Sequence, residues 1–173
     1  MAATKTNQNP MKEISIEKVT LNIGAGKNED LLAKGLKLFQ KLAPNAPVKT
    51  ITQKRIPGWG LRPGLVIGCK VTIRKDASTL LKRLLAAKAN TLSPKNFDDR
   101  GNFAFGVPEY IDIQGLEYDP DLKILGLEVA VTLQRRGYGI KRRSVRPAIV
   151  GKKHQITTEE AINYVKQLGV KVE

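Results

Sequence analysis

The chain has 173 residues, 41% of them hydrophobic, which suits one ordinary domain with a sizeable core and excludes wholesale disorder. Lys and Arg outnumber Asp and Glu by 30 to 16, a formal net charge of +14. Solubility alone needs a net charge of only about 2–8, so the excess points to a polyanion, nucleic acid before an anionic membrane surface. Residues 1–12 read as a flexible, mildly basic tail, followed by a single domain over residues 13–173. Ile14, Ile16, Val19, Leu21 and Ile23 alternate with polar residues and slip once near Lys18, as in a bulged strand. Gly24-Ala25-Gly26 ends it. Asn28 can cap a helix whose first turn holds Glu29 and Asp30 and whose apolar face runs through Leu31, Leu32, Gly35, Leu36, Phe39 and Leu42. Pro44 stops it.

Val48, Thr50 and Thr52 predict a second strand, and Val66 to Arg74 a third. Between them, Lys54 to Gly64 carries three glycines and two prolines and forms the protruding basic tip of a hairpin. Asp76 opens a second helix with Leu80, Leu81, Leu84 and Leu85 buried, closed by Asn90 and Pro94. Phe103 and Phe105 alternate on a short strand, and Ile111 and Ile113 follow Pro108. Leu125 to Leu133 is the strongest strand pattern of the chain. Residues 134–156 have no clear period and form a basic, disordered segment or one that orders on a partner. Thr157 and Glu160 form a capping box for a last helix with Ala161, Ile162, Val165 and Leu168 inward and Gly169 as its stop. This order predicts an α+β fold, a largely antiparallel sheet with helices packed mainly on one face.

Charge is sorted into blocks along the chain. Leu31 to Lys75 holds ten Lys/Arg and no acid; Asp98 to Glu128 holds eight Asp/Glu against two cations; Gln134 to Thr158 holds eight Lys/Arg and no acid. Such sorting predicts two surfaces for a polyanion and a third for something else. Trp59, between Gly58 and Gly60 with Arg55 and Arg62 nearby, suits stacking on nucleotides or sugars; folding back on the sheet is the bland alternative. Arg135, Arg136, Lys141, Arg142, Arg143, Arg146, Lys152 and Lys153, set among glycines and Tyr138, suit contacts to RNA phosphates.

Catalytic patterns fail on inspection. Gly24-Ala25-Gly26-Lys27 lacks the first glycine and the hydroxyl residue of a phosphate loop, and Glu29 stands where a dinucleotide fingerprint needs its third glycine. One cysteine, Cys69, and one histidine, His154, give no disulfide and too few ligands for structural zinc. The expectation is a non-enzymatic protein with no cofactor and no metal. The N-terminus lacks a signal-peptide core and no apolar run reaches membrane-span length, so a cytoplasmic location without membrane contact is expected. A free-standing chromatin protein is the alternative, weakened because no helix-turn-helix, zinc finger or basic zipper is visible; DNA is not the expected partner.

Three stretches carry a family resemblance: KVTLNIGAG (Lys18 to Gly26), RPGLVIGCKVTIR (Arg62 to Arg74) and SPKNFDDRGNFAFGV (Ser93 to Val107). The chain resembles the large-subunit ribosomal protein five family, the 5S RNA-binding proteins of the central protuberance, in its archaeal or eukaryotic branch, from about Glu13 to Leu168. The resemblance implies an RNA-recognition-like, ferredoxin-like sandwich. It implies 5S rRNA contacts at Asn22, Gly24, Gly26, Lys70, Thr72 and Arg74. It implies that the tip with Arg55, Gly58, Trp59 and Arg62 reaches P-site tRNA. It implies an acidic face with Glu117, Asp119 and Asp121 that bridges to small-subunit ribosomal protein thirteen. Further implied partners are 23S-type rRNA, to which the eight cations from Arg135 to Lys153 would make additional contacts, and neighbouring large-subunit proteins. Bacterial members end without a counterpart of Gly137 to His154, and Asp99 stands where they usually carry Gly.

Overall fold

A computed structural model describes residues 9–172. Strand β1 (Ile14–Gly24) runs into helix α1 (Glu29–Leu42), and β2 (Val48–Ile51) and β3 (Val66–Ile73) form the hairpin. Helix α2 (Ala77–Ala87) precedes a two-residue strand β4 (Thr91–Leu92). Then come β5 (Phe103–Val107), β6 (Leu127–Arg135), α3 (Thr158–Gln167) and a terminal β7 (Lys171–Val172). The main sheet is antiparallel in the order β2-β3-β1-β6-β5. The path β1-α1-β2-β3-α2-β6 in the order β2-β3-β1-β6 is the split βαβ arrangement of the RNA-recognition-like sandwich, with β5 added at one edge. The tail expectation for residues 1–12 lies outside the described residues up to residue 8. Pro10–Lys12 form a 3-10 turn that the Asn9 side chain caps.

Local chemistry explains most boundaries. The register of β1 against β6 shifts between Ile16 and Lys18, so Glu17 is the extra residue of a bulge. Asn28 accepts from the Leu31 N–H at the start of α1. Thr157 and Glu160 close the capping box on α3. Asp76 departs from expectation. It stands at the start of α2 with φ +55° and makes no side-chain cap bond.

The core lies between one sheet face and the helices. Val19, Leu21 and Ile23 from β1 and Cys69, Val71 and Ile73 from β3 meet Leu38 and Phe39 of α1 and Leu81, Leu84 and Leu85 of α2. Burial pushes the Cys69 thiol up to about 11, so it is a small core hydrophobe. Close approach comes at an unexpected glycine. A side chain at Gly68 would stand 2.5 Å from the Ile23 carbonyl oxygen, whereas Gly24 and Gly26 face open space. Gly26 is required instead for its left-handed φ of +58°. The pair β4–β7, which joins the end of α2 to the C-terminal residues, was not legible in the sequence. After Pro108, Tyr110–Asp112 is a 3-10 turn, with Tyr110 and Ile113 buried and Ile111 exposed.

Candidate nucleic-acid interface

Because strand side chains alternate, burying Val19, Leu21 and Ile23 turns Lys18, Thr20 and Asn22 to the other face. Register then assembles rows. Thr20 lies beside Thr72 and Ala130, Asn22 beside Lys70 and Glu128, and Lys18 beside Thr132. Ala104 and Gly106 of β5 extend the rows with almost no side-chain bulk. The result is a low, polar, net basic platform on the face that α1 and α2 leave open. Gly24 and Gly26 continue it at the end of β1, and exposed Arg74 stands just past β3. One acid interrupts it: Asn22 donates its amide to Glu128 at 3.0 Å.

The hairpin tip is more ordered than its composition suggests. Pro57–Trp59 forms a 3-10 turn, Ile56 and Leu61 bridge across it, and Leu61 is buried. Gly60 takes φ +60° and packs against the Lys27 side chain, so the β1–α1 turn props the tip. Trp59 points away, 73% exposed, and does not fold back on the sheet. Arg55, Gly58 and Arg62 are exposed around it.

Residues 134–156 are not a loose tether in this structure. Tyr138 is buried, its hydroxyl accepting from the Ile156 N–H and donating to the His154 carbonyl. Arg135, expected on RNA, is instead 5% exposed, bonded to the His154 and Gln155 carbonyls and paired with Glu160 at 2.7 Å. It is a structural residue, a correction that follows from its place on the inward face of β6. Arg142 reaches back to Glu17 at 2.9 Å and to Gln134, tying the segment to the β1 bulge. Arg136 lies 3.6 Å from Glu13. Lys141, Arg143, Arg146, Lys152 and Lys153 remain exposed.

Two acids of the expected acidic face also make contacts within the chain. Asp119 pairs with Lys41 of α1 at 2.6 Å, and Asp121 with Lys37 at 3.4 Å. The Lys41 hydrogen bond holds the Asp119 carboxyl below the usual value and the Lys41 ammonium above its own. Asp119 therefore ties the loop after β5 to α1, while Asp121 remains 74% exposed despite its pair and Glu117 stays exposed and unpaired among the described residues. The same pairs neutralise part of the first basic block. No sequence signal predicts this, because the partners lie about 80 positions apart.

Fold and surface define a basic α+β protein that presents broad charged faces, with no cleft of converging catalytic groups among the described residues. Residues 9–62 match the family described as Ribosomal protein L5, and residues 66–170 match the model of that ribosomal family's C-terminus. The chain is 47% identical to large ribosomal subunit protein uL5 of Nitrosopumilus maritimus, covering 98% of this chain and 99% of that one. It is 45% identical to uL5 of Nanoarchaeum equitans (95% and 99% covered) and 41% identical to uL5 of Archaeoglobus fulgidus (96% and 94% covered). The chain belongs to the ribosomal protein L5 family, a family of structural proteins of the ribosome.

Proposed function

We propose that the chain is a structural constituent of the large ribosomal subunit that binds 5S rRNA with the open sheet face and helps fix it in the central protuberance. One observation carries this reading: Lys18, Thr20, Asn22, Lys70 and Thr72 lie side by side where the helices leave the sheet uncovered. Short polar side chains let an RNA backbone come close, and the two lysines meet its phosphates. The exposed cations of residues 136–153 then serve 23S-type rRNA. The tip around Trp59, with Arg55 and Arg62, serves the elbow of P-site tRNA by stacking and charge. The acidic face of Glu117, Asp119 and Asp121 serves basic small-subunit protein thirteen, since a carboxylate facing rRNA would be repelled.

The test is chemical footprinting of 5S rRNA with the wild-type chain and with Asn22→Ala/Thr72→Ala. The wild type protects a discrete segment, and the double variant binds roughly tenfold more weakly, as expected for about two lost hydrogen bonds, with an unchanged circular dichroism spectrum. Equal protection by both proteins rejects the open face as the 5S site.

A further inference from the structure

Beside the open sheet face lies a cavity of about 510 Å³, within the roughly 300–1,000 Å³ that small ligands occupy. Its floor is Thr132 and Leu133 of β6 with Tyr138; its outer wall is the run Pro147 to Val150. That wall is pinned at both ends. The Ala148 N–H donates to the Ile140 carbonyl at 3.2 Å, and the Gln155 amide donates to the Val150 carbonyl at 3.2 Å. The Asn102 and Gln155 amides and the Thr132 hydroxyl give the cavity a polar side. Its rim carries Arg100 and Lys141, the latter held 5.1 Å over the Tyr138 ring, and no carboxylate is among the lining residues. Arg143 and Arg146 stand exposed on the same run of chain, and Ile149, 92% exposed, projects at the mouth.

We propose that this cavity receives one unstacked nucleobase of ribosomal RNA while the rim cations hold its flanking phosphates. The inference rests on the reading of residues 136–153 as an RNA surface and gives that surface a base-sized subsite. Aliphatic walls beside the Tyr138 ring, a few amide and hydroxyl groups at one side and two cations, Arg100 and Lys141, at the rim suit a heterocycle on a phosphate chain. They match an acidic peptide less well, because nothing polar at the floor is charged. Thr132 lies beside Lys18 in the sheet register, so the cavity adjoins the open face.

The test uses the full chain and two fluorescent probes, an RNA decamer of mixed sequence and the same ribose-phosphate decamer without bases. The variant Ala148→Phe fills the cavity from its wall. Ile149→Ala trims a side chain so exposed that folding is indifferent to it. The wild type prefers the base-bearing probe by roughly 5- to 100-fold, the range for one stacked base. Ala148→Phe loses most of that preference and Ile149→Ala part of it, both keeping wild-type affinity for the abasic probe. Arg143→Gln/Arg146→Gln weakens both probes alike. An unchanged preference in Ala148→Phe and Ile149→Ala overturns the proposal and leaves the cavity for a protein side chain. A phosphate-only surface is the outcome if the wild type binds both probes equally, which overturns the subsite but keeps the RNA surface. Binding of neither probe rejects the surface itself.

Discussion

At the residue scale, several charges that composition assigns to partners serve the chain itself. Arg135 is the clearest case. Its guanidinium is sealed under α3, and Glu160 supplies the opposite charge. Glu160→Ala leaves that cation buried with only carbonyl partners, so unfolding free energy falls by about 1–3 kcal/mol; denaturant titration measures it, and a loss near zero means the pair is ornamental. Glu17 is the mirror case, a buried carboxylate met by Arg142 from outside the sheet. Glu128 has the opposite standing: it is an acid on the face proposed for RNA, engaged with Asn22. Glu128→Gln keeps an acceptor for the Asn22 amide and removes the repulsion. It raises 5S rRNA affinity about two- to fivefold at low salt, with the gain shrinking as salt screens the charge. Weaker binding of this variant in a filter assay would mean that the carboxylate itself makes a needed contact.

At the element scale, legibility follows the range of the interaction. The β1 bulge, the Asn28 cap and the Thr157–Glu160 box depend on neighbours within a few positions, and each could be read from the chain. The docking of Asp119 on Lys41, the sealing of Arg135 and the close approach at Gly68 depend on how separate elements pack, and none has a local signature. β4 and β7 are too short for any period to reveal. Gly68→Ala tests the packing. Its methyl would meet the Ile23 carbonyl, so thermal unfolding should show a loss of about 1–3 kcal/mol. A variant as stable as wild type would mean that β1 and β3 can separate freely. The hairpin tip gives the converse result. Trp59→Ala removes an outward side chain and changes stability by less than about 0.5 kcal/mol. It leaves 5S rRNA binding intact and alters tRNA retention in assembled ribosomes. Loss of 5S binding in this variant would move Trp59 into the RNA anchor.

At the scale of the whole molecule, the blocks of charge resolve into three directions: an open basic sheet face, a cationic arm folded beside it, and an acidic loop partly spent on α1. Acid should loosen this arrangement. Lys41 draws the Asp119 carboxyl below its ordinary value of 3.8. Burial alone would raise Glu160, yet the Thr157 N–H and Arg135 outweigh it and hold it below 4.5. With folded values depressed, the unfolded chain takes up protons first. The stabilisation is therefore complete above the ordinary carboxylate values and is lost as pH falls through the lower folded ones. The melting temperature should drop as pH falls below the ordinary carboxylate range, and less so in Glu160→Gln; a flat profile in wild type would contradict the pairing.

The most direct test of the central claim is the salt dependence of 5S rRNA binding by wild type and by Lys18→Gln/Lys70→Gln, two substitutions confined to the open face. Wild-type affinity should fall with a log–log slope on the order of −4 to −6. The double variant should bind more weakly with a slope shallower by about 1 to 2, one for each lost phosphate contact. Identical affinity and slope for the two proteins would contradict the claim that the open sheet face is where this chain holds 5S rRNA.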